Sequence, residues 1–220
     1  LLPAILLPIL ITITTIISIN SQGGNIGKIV AMFENKTSIS IGIMLVCIAQ
    51  FFSMFSYISI TSISREGKNV IFMKYIPITL EKQLYYNTMP NLIIMFIINA
   101  VIILIAEYLI KIPIIYGTII FVLMSVVSYL QSFILILIDL NKPKLEWNSE
   151  YTVVKQNLNL MWPMILGVIN IMLIISFTST VSTKNPYIII SSLIILYTIA
   201  IIIVKKYIRK NINKQFEKIY

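Results

Sequence analysis

The side chains that could do chemistry are few. Histidine is absent, and the single cysteine, Cys47, stands inside an apolar run. A histidine-assisted serine nucleophile, a metalloprotease motif and a cysteine–histidine metal site are thereby excluded, as is an internal disulfide. An aspartyl dyad needs two carboxylates within a few ångströms. The acids close to the apolar runs are Glu107 and Asp139, and the spans set out below place them at opposite ends, about 30 Å apart. They cannot share a proton, so intramembrane proteolysis is not expected. The glycine-rich stretch Gly23-Gly24-Asn25-Ile26-Gly27-Lys28 lacks the G-x-x-x-x-G-K-[ST] spacing of a phosphate-binding loop. The chain therefore reads as a non-catalytic protein that binds no cofactor.

Polar side chains inside apolar runs form a second set, namely Gln50, Asn99, Glu107, Gln131 and Asn170. One reading is hydrogen-bonding glue between helices, at about 0.6–2 kcal/mol per contact. The other is the lining of a translocation path, for which Asn99, Glu107, Gln131 and Asn170 are the candidates. Glu107 has Lys111 one turn further on as a possible ion-pair partner.

These residues need a frame. With 58% hydrophobic and 11% charged residues and a mean hydropathy of +0.94, 220 residues cannot hide their apolar surface in a soluble domain. The expected fold is all-α, a polytopic transmembrane bundle of about six spans forming one domain over 1–220. The spans are placed at 1–19, 39–63, 92–110, 114–138, 161–181 and 187–204. The first run starts on leucine without a basic leader, as expected of a chain that begins inside a longer protein. The third and fourth runs are separated by only a few residues and must form an antiparallel hairpin. Polar loops fall at 64–91 and 139–160, and a basic tail at 205–220. In the tail Ile208, Ile212, Phe216 and Ile219 recur at helical spacing, which predicts an amphipathic helix on the membrane surface.

Orientation follows from lysine and arginine. The two long loops and the tail hold thirteen of them, against four in the alternate connections. That asymmetry puts both loops and the C-terminus in the cytoplasm of a multi-pass cell-membrane protein. The net charge of +9 is accounted for by topology and anionic lipid, with no basic face interleaved with exposed aromatics as nucleic acid requires.

The loop from Ser64 onward is the most informative stretch. Gly67 permits a sharp exit from the preceding helix. Pro77 stops any helix begun near Val70, and Thr79 can cap a second short helix starting with Leu80, Glu81 and Lys82. Each long loop exceeds what a connector between neighbouring helices needs, and both carry apolar residues at helical spacing. They read as docking elements for a cytoplasmic partner.

Ser64-Arg65-Glu66-Gly67-Lys68, then Lys74-Tyr75-Ile76-Pro77-Ile78 and Lys82, resembles the cytoplasmic loop of ABC exporter permeases of Gram-positive bacteria. The second loop, with Pro143-Lys144-Leu145, Trp147, Glu150, Val154-Lys155-Gln156-Asn157 and Asn159, resembles that family's P-K-L-x-W-x-x-E-x-x-x-V-K-Q-N-x-N pattern. The resemblance covers roughly 64–160. It implies a permease subunit, homo- or heterodimeric, paired with a separate cytoplasmic ABC ATPase subunit that holds ATP and Mg. It implies ATPase-coupling roles for Arg65, Glu66, Gly67, Lys68, Pro77, Glu81 and Lys82, and a second contact or brace at Lys144, Trp147, Glu150 and Lys155. Members of the family are longer, so the chain matches a C-terminal portion. The alternative is a membrane scaffold or sensor that recruits a partner and moves no solute. A polar path lined by Asn99, Glu107 and Asn170 separates the first reading from the second.

Overall fold

The computed structural model describes residues 37–147, 157–181 and 185–217, all in helices and turns with no strand among them. The described residues hold five α-helices: α1 (Thr37–Ser53), α2 (Leu80–Ile110), α3 (Ile114–Asn141), α4 (Met161–Thr180) and α5 (Pro186–Glu217). Among the described residues four helical stretches, covering α2, α3, α4 and most of α5, are long and apolar enough to cross a membrane. The chain is thus a membrane-embedded helical bundle. The expected first span at 1–19 lies outside the described residues.

Helix α3 is the centre of the bundle. Its apolar window is 61% buried, against 17–33% for the other three. Ile120, Met124, Val127 and Ile136 on α3 are sealed completely, and α1, α2 and α5 pack around them. The hairpin of α2 and α3 forms as the short connection requires. Lys111 closes α2 in the left-handed conformation (φ 56°), and Pro113 stands at the N-cap of α3.

The second expected span, 39–63, is not one helix. The α-helical path stops at Ser53, turns through Met54–Ile58 and continues as 3-10 turns at Ser59–Thr61 and Ser64–Lys74. Serine hydroxyls cause the change by competing for backbone carbonyls. Ser53 Oγ donates to Gln50 O at 2.7 Å and Ser62 Oγ to Ser59 O at 3.1 Å. Backbone bonds of the tighter i→i+3 kind run from Phe55 N to Phe52 O and from Ser56 N to Ser53 O. Such backbone survives in a membrane protein only where protein covers it, and Ser56, Ser59, Ile60 and Ile63 are all buried.

The third expected span, 92–110, begins twelve residues early. Helix α2 runs unbroken from Leu80 through Pro90 to Ile110. The anticipated second short loop helix is therefore the first turns of α2. At 1.5 Å per residue its 31 residues reach about 46 Å, well beyond the ~30 Å hydrocarbon core. The polar start is a rigid stalk continuous with the apolar part of the helix. Thr79 is the N-cap but makes no side-chain cap bond. Gln83 ties the junction instead, its Nε2 donating to Met73 O at 2.9 Å and Ile78 O at 2.8 Å.

The tail differs from expectation in the same way. Residues 187–204 and the tail to Glu217 form one helix. Ile208, Ile212 and Phe216 are 3%, 5% and 2% exposed. They pack with Val70, Met73, Leu84 and Leu140 in a second apolar cluster at the polar end, so this stripe faces protein rather than lipid. Arg209 Nε meets Glu81 Oε1 at 2.8 Å across α5 and α2. Both long loops and the end of α5 thus share one end of the bundle.

Candidate functional site: an interlocked loop platform

The two motif-bearing segments meet, and Ser64 is where they meet. Its Oγ donates to Asp139 Oδ1 and accepts from Lys144 N at 3.0 Å. Its backbone carbonyl accepts from Trp147 Nε1 at 2.9 Å, and Asn157 Nδ2 reaches its Oγ at 3.5 Å. Asp139 is fully buried at the end of α3. Its Oδ2 accepts from Ile63 N at 2.8 Å and Ser64 N at 2.9 Å. Two consecutive N–H groups on one carboxylate oxygen hold the start of the 64–74 segment against α3. Asn159 Nδ2 closes the other side by donating to Lys142 O at 2.8 Å.

Gly67 explains how Trp147 fits. Its backbone stands at φ 54°, ψ −133°, a conformation open to glycine and disfavoured for L side chains. A Cβ there would lie 3.0–3.1 Å from three atoms of the Trp147 indole. Gly67→Ala is therefore expected to cost about 1–3 kcal/mol from the backbone alone, before the indole is pushed aside. Thermal unfolding in detergent checks the loss, and Trp147→Ala in the same chain should recover only the steric part.

The residues assigned to coupling by resemblance divide into two places. Arg65 and Glu66 line a polar pocket of about 470 Å³ together with Asn69, Asn87 and Trp147. Arg65 Nε and Nη2 lie 3.4 Å from Thr61 O and Ile58 O. Glu81 and Lys82 instead line a groove against α5, facing Lys205 and Arg209. Lys68 and Pro77 are exposed. Glu150 and Lys155 lie outside the described residues. Lys144, through its backbone N, and Trp147, through its indole Nε1, both contact Ser64.

Between these places stands an apolar tip. Val70 and Met73 are buried at its base, while Phe72, Tyr75, Ile76 and Ile78 are 59%, 80%, 44% and 43% exposed. Pro77 sits among them in the turn before α2.

The four polar residues proposed to line a path do not share one. Gln131 and Asn170 both line a cavity of about 420 Å³ between α3, α4 and α5, otherwise walled mainly by apolar side chains. Asn170 Nδ2 donates to Gln50 Oε1 at 3.5 Å, and Asn170 Oδ1 accepts from Tyr197 Oη at 3.3 Å. Gln131 Oε1 accepts from Ser53 Oγ at 3.0 Å. Asn99 is buried outside that cavity, and neither of its amide atoms has a partner among the described residues. Glu107 leans on Gly117 at the opposite end of the bundle and forms no ion pair with Lys111 among the described residues.

Sequence reasoning missed Ser64 and Asp139 as a pair, and Gln50, Ser53 and Tyr197 as neighbours of the inner amides. No cluster of three or more metal-ligating side chains occurs among the described residues. The chain matches no family model, no curated protein and no solved structure.

Proposed function

We propose that this chain is the membrane-spanning, non-catalytic permease part of an ATP-driven exporter, with its loop platform docked on a separate cytoplasmic ATPase subunit that holds ATP and Mg. The observation that carries the reading is the apolar tip around Phe72, Tyr75 and Ile76, exposed on a base fixed by the Ser64–Asp139 interlock. Exposed apolar side chains grouped on a structured surface mark interaction sites. A tip whose base is hydrogen-bonded to α3 and continuous with α2 can carry a push from outside into the spans. The excess of lysine and arginine at this end supports a cytoplasmic position.

The scaffold reading keeps one observation in its favour: Asn99 and Glu107 stand away from the cavity lined by Gln131 and Asn170. Affinity purification from the native membrane, followed by an ATPase assay, tests docking. An ATP-hydrolysing chain is expected to come along; a hydrolytically silent eluate overturns the exporter reading. Orientation is checked by Lys68→Cys in a Cys47→Ser background. The new thiol should resist impermeant reagent added outside intact cells, and labelling there removes the cytoplasmic assignment.

A further inference from the structure

One side of the bundle carries a gutter with a basic head and an apolar body. The head is the groove of about 380 Å³ between the start of α2 and the end of α5, lined by Thr79, Lys82, Tyr85, Phe133, Lys205 and Arg209 among others. The body is a second groove of about 380 Å³, almost wholly apolar, between Phe96 of α2, Phe121, Val126 and Tyr129 of α3, and Ile201 of α5.

The two are laid end to end by helical spacing. Phe121, Ser125, Tyr129 and Phe133 recur every four residues on α3, and Ile201, Lys205 and Arg209 do so on α5. Each set therefore stays on one face of its helix. Lys205 marks the junction: its Nζ lies 5.1 Å from the Tyr129 ring centre and 6.0 Å from that of Phe133. From Phe121 to Phe133 is about 18 Å of helix rise, close to half of a ~30 Å hydrocarbon core. The gutter is one leaflet long.

Charge selects the occupant. Glu81, the acid lining the head, is already held by Arg209 at 2.8 Å. Lys82 and Lys205 are in no ion pair among the described residues. Lys82 and Lys205 at the polar end, the latter over the Tyr129 ring, stand above an apolar trough one leaflet deep and match the phosphate of a diacyl lipid. We propose that this gutter is a binding site for an anionic phospholipid, its phosphate between Lys82 and Lys205 and an acyl chain lying along Tyr129, Val126 and Phe121. A free phosphate would use the head alone and leave the trough without a role.

The test uses the full chain, purified in a neutral detergent. Phosphatidylglycerol, phosphatidylcholine of the same acyl chains, and inorganic phosphate are each titrated while bound lipid is counted by native mass spectrometry. Phosphatidylglycerol should bind in about one copy and survive delipidating washes that remove phosphatidylcholine. Lys82→Gln with Lys205→Gln should weaken it, at roughly fivefold per lysine near a membrane surface. Lys206→Gln with Lys210→Gln removes the same charge from exposed positions on α5 outside both grooves and should leave binding within twofold. Val122→Trp, in the trough where Val122 is 43% exposed, should displace the lipid with every charge intact. Equal retention of the two lipids overturns the proposal. So do equal losses in the two lysine pairs, or competition by inorganic phosphate that Val122→Trp leaves unchanged.

Discussion

Asp139→Ala is expected to destabilise the polar end by about 3 kcal/mol or more, the largest single-residue loss in the described bundle. The carboxylate is fully buried and accepts from Ile63 N, Ser64 N and Ser64 Oγ. Its neighbours Ile136 and Leu140 are sealed as well, so the abandoned donors stand in a buried setting. An unsatisfied buried group costs about 1–3 kcal/mol, and three are left. Asp139→Asn is expected to fall only part of the way. With its oxygen at the Oδ2 position it still accepts from Ile63 N and Ser64 N, but its Nδ2 then faces Ser64 Oγ, which must give up donating there and accept instead. Ser64→Ala removes the hydroxyl that joins Asp139 to Lys144 but spares the backbone bonds, and should cost about 1–1.5 kcal/mol. Thermal unfolding in detergent should rank the three in that order, and a double-mutant cycle between Asp139 and Ser64 should give a clear coupling energy. Additive effects from the pair, or an Asp139→Ala loss below about 0.5 kcal/mol, would show that the interlock does not hold the platform.

What could be read from the sequence was set by range. The helical hairpin around Lys111 and Pro113 was legible because its chemistry lies within a few residues, and the polar ends were legible because charge marks them. The break at Ser53 was not, since hydropathy averages Phe52 to Ile63 into one apolar run. Its trace was there as serines at 53, 56, 59 and 62, a period of three that matches a 3-10 helix rather than an α-helix. Helix α2 runs on through Pro90, which is exposed, while the adjacent Asn91 Nδ2 donates to Ser132 Oγ at 2.7 Å. The stripe Ile208, Ile212, Phe216 lies on one face of α5, with Ile219 outside the described residues, but the same stripe suits lipid or protein. Only the folded chain brings Val70 and Met73 to meet it. Asp139 was passed over for a similar reason. Its partners Ile63 and Ser64 are 75 and more residues away in the chain, and no local pattern announces a carboxylate waiting for two backbone amides.

Under the exporter reading proposed above, removing the apolar tip should have the largest effect on binding of the ATPase subunit. Phe72 and Tyr75 are 59% and 80% exposed, whereas Val70 and Met73 on the same segment are buried. Phe72→Asp with Tyr75→Asp should therefore leave thermal unfolding nearly unchanged. Aromatic anchors at interface centres are worth about 2 kcal/mol or more each, and 1.4 kcal/mol is tenfold in affinity, so recovery of the ATPase chain in affinity purification should fall at least tenfold. Coupling is a separate matter from docking. Pro77→Gly loosens the turn between tip and stalk, and Glu81→Lys replaces the ion pair with Arg209 by a like-charge contact. Both variants should keep the ATPase bound and hydrolysing while transport per ATP drops. A tip variant that still recovers the full amount of ATPase would move docking elsewhere on the platform. Unchanged transport per ATP in both Pro77→Gly and Glu81→Lys would mean that force enters the spans by a route other than the stalk of α2.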